Sequence, residues 1–133
     1  MKKHTINPWS WQDDHGYSQG VLVEQPKRTL YAAGQGPVDA DGRLLHEGDV
    51  GAQARLAMDN VEAVLEAAGM SLADVVRYDI HTTNLQDYFV LGHAEVAKRF
   101  AEAGVVPAGG IATEVPALAL PGMQVEVTVI ACQ

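Results

Sequence analysis

An α/β sandwich, one sheet carrying two helices on a single face, is the fold class that the sequence predicts. Three observations predict it: the apolar periodicities run β-β-α-β-α-β, the helical stretches alternate with strands instead of clustering, and the chain has single-domain length. With 133 residues, 47% hydrophobic and 20% charged, it suits one globular core spanning residues 1–133.

The first strands are expected at Gly20–Glu24 and Thr29–Ala33, β-type runs separated by Gln25-Pro-Lys-Arg28, which together read as a hairpin over residues 17–34. Trp9 and Trp11 precede them and read as packing anchors. Val38-Asp-Ala-Asp-Gly42 ends in Asp-Gly and marks a turn. From Val50 to Ala68 the apolar residues Val50, Ala54, Ala57, Val61, Val64, Leu65 and Ala68 recur at helical spacing, with Asp49 as the cap and Gly69 as the stop. Ser71-Leu-Ala-Asp74 matches a capping box.

Val75–Thr83 alternates, with Val76, Tyr78, Ile80 and Thr82 on one face and Arg77, Asp79 and His81 on the other. A second helix follows over Asp87–Ala103, its stripe formed by Phe89, His93, Val96, Phe100 and Ala103. An extra strand is possible around Ile111–Val115. Met123–Ala131 is the last strand, with Gln124, Glu126 and Thr128 opposite its apolar face. Helices on one face leave the other face of the sheet to find cover, which invites oligomerisation.

Charge narrows the function. Nine Lys and Arg against 17 Asp and Glu give −8, and a domain this acidic without a basic run lacks the cationic footprint that binds nucleic acid. No apolar stretch reaches the roughly 18 residues of a membrane span, and residues 1–14 lack a secretory pattern. The single Cys132 permits no internal disulfide and fits a reducing compartment, so the expected location is the cytoplasm. Cys132 itself reads as a small buried hydrophobe.

Chemical motifs are sparse. Gly34-Gln-Gly36 lacks the third glycine of a dinucleotide loop, and Pro37 stands where a helix should open. His93-Ala-Glu95 imitates half of a zinc deaminase signature, but the Cys pair that completes it is missing. His4, His15, His46, His81 and His93 show no metal-ligand spacing. Neither metal nor cofactor is expected. His93, within an apolar stripe, reads first as an interior hydrogen-bonded histidine and second as a proton-transfer group.

Taken together, Tyr17-Ser-Gln-Gly-Val21, Gly34-Gln-Gly-Pro-Val38, Asp41-Gly42, Gly48-Asp49 with Gln53, Asn60 to Leu65, Ala67-Ala-Gly69, Asp74-Val-Val76 and Leu120-Pro121 with Val125-Glu126 resemble the Rid (RidA/YjgF-like) superfamily over nearly the whole chain. The resemblance implies a chorismate-mutase-like fold and a homotrimer that binds a small molecule in clefts between subunits. It also implies cofactor-free hydrolysis of reactive enamines and imines to a carbonyl product and ammonia. Family members have been labelled endoribonuclease or translation inhibitor as well, a role that the charge disfavours.

By the same resemblance, Tyr17 and the segment at Gly34 and Gln35 line the cleft, Glu126 holds or activates water, and a helix position that binds ligand falls at Gly92 or His93. The family's carboxylate-binding Arg lies in a Pro-Ala-Arg motif; here Pro107-Ala108-Gly109 stands in its place. With the alternative gap, the Arg falls on Ala112. No Lys or Arg follows Arg99. Losing such a charge-assisted pair costs about 2 to 5 kcal/mol, so the usual 2-imino acids are not the expected substrates. The reading is a deaminase-like hydrolase of neutral or differently anchored imines, with Glu126 and Tyr17 as catalytic groups and Gly34, Gln35, His93 and Gly109 at the ligand. The alternative is a ligand-binding or regulatory trimer without turnover.

Overall fold

The computed structural model describes residues 1–133. The elements are β1 (Lys2–Ile6), β2 (Gly20–Glu24), β3 (Thr29–Tyr31), α1 (Val50–Ala67), β4 (Val75–Thr82), α2 (Leu85–Asp87), a π-helical turn (Tyr88–Gly92), α3 (His93–Glu102), β5 (Ala108–Glu114) and β6 (Val125–Cys132). The mixed α and β composition with two main helices is the expected one. The strands divide into a four-stranded sheet ordered β3-β6-β4-β5 and a two-stranded ribbon of β1 and β2.

The expected hairpin does not form. Gly20–Glu24 and Thr29–Tyr31 are strands, but β2 pairs antiparallel with β1 and β3 with β6. Lys2–Ile6, a polar run with no strand alternation in its sequence, supplies the partner. Its Lys3 Nζ donates to the Ala73 carbonyl at 2.9 Å.

α1 begins and ends as its sequence requires. The Asp49 side chain accepts the Ala52 N–H at 3.0 Å, and Gly69 takes φ +70° just beyond the helix. The capping box of Ser71 and Asp74 is present. Ala54, Ala57, Met58, Val61 and Leu65 face the sheet, where Val125, Val127, Val129 and Ala131 from β6 meet Tyr78 and Ile80 from β4. Arg99 of α3 ties the helices together through Asp59, at 2.6 Å, and Glu62 of α1.

The second helical stretch differs from its predicted stripe. Tyr88, Val96 and Phe100 are buried and Gly92 stands among them, whereas Phe89 is 51% exposed. The inward row thus runs 88-92-96-100. A Cβ on Gly92 would approach Tyr88 Cδ2 at 3.0 Å and Ala54 Cβ at 3.6 Å. Glycine lets α1 and the Tyr88 ring close together there, and no hydrophobicity pattern reports that.

Trp9 and Trp11, expected as anchors, are 61% and 60% exposed. Trp11 makes edge contacts within a cluster with His15 and Tyr17, at 6.4 and 6.5 Å between ring centres. Cys132 is buried, as expected. No helix is long and apolar enough to cross a membrane.

Candidate functional site

β4 and β5 run parallel, with Tyr78 opposite Gly109 and Ile80 opposite Ala112. Two residues, Gly110 and Ile111, therefore face the single Asp79, forming a bulge. Asp79 stabilises it: its Oδ1 accepts the Ile111 N–H at 2.8 Å. The same carboxylate takes both ends of the Arg77 guanidinium, Nε at 3.0 Å and an Nη at 2.9 Å. That pairing, chiefly, holds the Asp79 carboxyl below its ordinary pKa. Gly110 is obligatory here because a Cβ would lie 2.7 Å from the Tyr78 carbonyl oxygen and would meet the Asp79 carboxylate.

On the helical side of this bulge lies a cleft of about 820 Å³, within the size range of small-molecule sites. Tyr78 and Ile80 form part of its wall, Tyr88 and Phe89 come from the π-helical turn, and the segment at Asp14–Tyr17 closes one side. Turns of π-helix insert one extra residue per turn and recur at functional sites; here the His93 N–H reaches back to the Tyr88 carbonyl.

Tyr17, His93 and Gly109, all candidates from sequence, line this one cleft. The Tyr17 ring lies against Gly109, where a Cβ would come within 2.8 Å of Cδ2. His93 is half-buried and its Nδ1 lies 3.5 Å from the Tyr88 hydroxyl. Burial first, and the neighbouring His15 second, push the His93 pKa down. Burial also raises the pKa of the Tyr78 phenol, with the adjacent Tyr17 adding to the effect, and raises that of Tyr88. Both alignments of the absent Arg lead to the same place, since Gly109 and Ala112 both line the cleft, and no Lys or Arg does.

The other candidates gather elsewhere. Glu126 stands opposite His81 in the β4–β6 register, so alternation puts it on the sheet face away from Tyr78 and Ile80. A Cβ on Gly34 would lie 2.6 Å from Glu126 Cδ, so glycine there is what lets the carboxylate lie over the chain. Gln35 bridges Val127 through paired backbone hydrogen bonds of 2.7 and 2.9 Å. Asn60 Nδ2 fixes this segment by donating to the carbonyls of Gly36 and Val38 at 2.8 and 3.0 Å. The chain thus carries two groups: Tyr17, His93 and Gly109 on the helical side, and Gly34 and Glu126 on the opposite face, with Gln35 next to Gly34 but in register with core-facing Val127.

Sequence reasoning misses His15, Tyr88 and Asp79. Tyr88 leaves a faint signal as an aromatic five residues before His93, the π-helical spacing. His15 and Asp79 leave none, because their roles depend on a loop path and a strand register. No three His, Cys, Asp or Glu side chains converge where they could hold a metal ion.

Residues 11–133 match the family model described as endoribonuclease L-PSP. Among curated relatives, Protein DfrA of Myxococcus xanthus is 43% identical over 72 residues, 54% of each chain. The chain spans about half the length of the first curated relatives it matches. Rat 2-iminobutanoate/2-iminopropanoate deaminase is 33% identical over 117 residues, covering 88% of this chain and 80% of the rat protein. Among solved structures, the protein of unknown function YyfB of the conserved Rid family from Yersinia pestis superposes over 100% of both chains, with TM-score 0.81 and 30% identity. The YjgF gene product of E. coli gives TM-score 0.70 and 31% identity over 88% of this chain and 87% of its own.

Proposed function

This chain belongs to the Rid family, and from that premise we propose that it hydrolyses reactive imines or enamines lacking the carboxylate of the usual 2-imino acids. The observation that carries the reading is the cleft at Gly109, which keeps Tyr17 and a polar helix position at His93 but has no cation to clamp an acid. A carboxylate entering it would meet the Asp14 side chain and no guanidinium. Arg77, on the neighbouring strand, is held by Asp79.

The two groups on opposite faces of one sheet cannot touch one ligand within a protomer. A homotrimer resolves this by setting Glu126 and the Gly34–Gln35 main chain of one copy against Tyr17, His93 and Gly109 of the next. In the joined site the imine nitrogen takes a proton, water activated by Glu126 adds to the C=N carbon, and the carbinolamine collapses. Atoms balance without a cofactor: the imine and water become the carbonyl compound and ammonia. Tyr17 holds the ligand through its hydroxyl. A positioned base and a polar donor in a water-poor cleft each supply about two to four decades of rate.

The relatives named deaminases support the reaction type. A ribonuclease role finds less support, because a net charge of −8 opposes a phosphate backbone. A ligand-binding trimer without turnover is the second reading, favoured by the same missing guanidinium.

The test is ammonia release from imines generated in situ by amine and amino-acid oxidases. The protein accelerates release from carboxylate-free imines, and Glu126→Gln lowers the rate at least about a hundredfold. Unchanged release across the whole set, with small ligands still raising the Tm, favours the second reading. A stable monomer by light scattering overturns the shared site.

A further inference from the structure

We infer that the cleft over Gly109 takes an aldimine bearing an aromatic ring, R–CH=NH with an arylalkyl R, the product of primary-amine oxidation. The inference rests on the hydrolase reading and names its substrate class. Two rings, Tyr17 and Phe89, stand at the space, and the buried rings of Tyr78 and Tyr88 back its wall. Two apolar side chains at its rim, Phe89 at 51% and Ile111 at 58%, remain exposed in the protomer. They offer apolar surface that a ligand in the cleft can cover. Aromatic walls favour offset or edge contacts with a ring, and a cleft of about 820 Å³ leaves ample room for one.

The polar groups suit the other end of the molecule. Tyr88 OH stands beside His93 Nδ1 at 3.5 Å, so the second ring nitrogen of His93 is the one left for a ligand nitrogen. Asp14 and His15 also line the cleft, and with no Lys or Arg among the lining residues an aldimine nitrogen is better placed there than a carboxylate. Hydrolysis adds water across the C=N bond and expels ammonia, leaving the aldehyde R–CHO. An amine-oxidising reaction must therefore supply the substrate, and an aldehyde-consuming reaction must take the product.

The experiment uses stable probes first. 2-Phenylacetamide, phenylacetate and acetamide are titrated into the full chain by calorimetry. 2-Phenylacetamide binds at least tenfold tighter than either of the others, and Phe89→Ala, a change at an exposed position, weakens it about three- to tenfold. Phenylacetate binding as tightly as the amide overturns the inference. In the second arm, imines are generated by an amine oxidase from 2-phenylethylamine and by an amino-acid oxidase from phenylalanine. Faster hydrolysis of the first supports the inference. Faster hydrolysis of the second overturns it while leaving the hydrolase reading standing. Tight amide binding with neither imine hydrolysed removes the hydrolase reading and keeps the aromatic, carboxylate-free ligand class.

Discussion

The Tyr17 ring rests on the backbone of Gly109, so closely that a methyl group at Gly109 would come within 2.8 Å of Cδ2 and 2.9 Å of Cγ. The place from which a cationic side chain could rise is thereby floored by an aromatic ring. Gly109→Ala must push Tyr17 aside. On the proposed imine-hydrolase reading, with Tyr17 positioning the ligand, its displacement costs up to two decades of rate, and imine turnover in this variant falls about ten- to a hundredfold. Tm, read by calorimetry, changes little, since Tyr17 lies at the cleft and outside the core cluster.

The adjacent Gly110→Ala behaves differently. Its Cβ would meet the Tyr78 carbonyl at 2.7 Å and the Asp79 carboxylate, and main chain cannot swing away as a ring can. Overpacking of this kind costs about 1 to 3 kcal/mol. Urea unfolding shows that loss in Gly110→Ala, and a midpoint equal to that of the parent would refute the bulge account.

The contrast between these glycines shows what the sequence could convey. Alternation in β6 and the three-four spacing of α1, with Asp49 before it and Gly69 after it, are local patterns, and the chain forms α1 within one residue and β6 within two residues of expectation. Strand partnership is not local. Two β runs four residues apart read as a hairpin, but each pairs elsewhere because β1 and β6 offer longer-range ladders. The stripe through Phe89 fails because Gly92 contributes closeness and no hydrophobicity. Within the site, Tyr17, His93 and Gly109 meet as candidates, whereas His15 and Tyr88 join them only once loop and π-helical turn are folded.

His93 gives the cleft a pH signature. Its folded pKa lies below its ordinary value, first through burial and then through His15; Asp14, Tyr17, Tyr78 and Tyr88 are the other titratable groups around the cleft. Above the unfolded value of about 6.5 both states are neutral at this group and it has no effect. As pH falls below that value the unfolded chain takes the proton first, so stability declines until the folded pKa is reached. Denaturant midpoints measured from pH 7 to pH 5 therefore fall more steeply in the parent than in His93→Gln. Parallel curves would mean that His93 titrates as freely as it does in a peptide.

Gln53 is the fully buried polar hub behind the Glu126 face. Its Nε2 donates to the carbonyls of His46 and Gly122 at 3.1 and 3.0 Å, and its Oε1 accepts the Gln124 N–H at 2.7 Å. Gln124 lies two residues before Glu126, and the Thr82 hydroxyl also binds its carbonyl, at 2.7 Å. Gln53→Ala strips a partner from three backbone groups at once, and each orphaned group costs about 1 to 3 kcal/mol, less where water enters. The variant loses about 3 kcal/mol in urea unfolding. Gln53→Met separates packing from bonding: it keeps the length of the side chain but makes none of the three hydrogen bonds, so it recovers only the packing part and falls between alanine and the parent. A Gln53→Ala midpoint within experimental error of the parent would show that the start of β6 is held by other contacts.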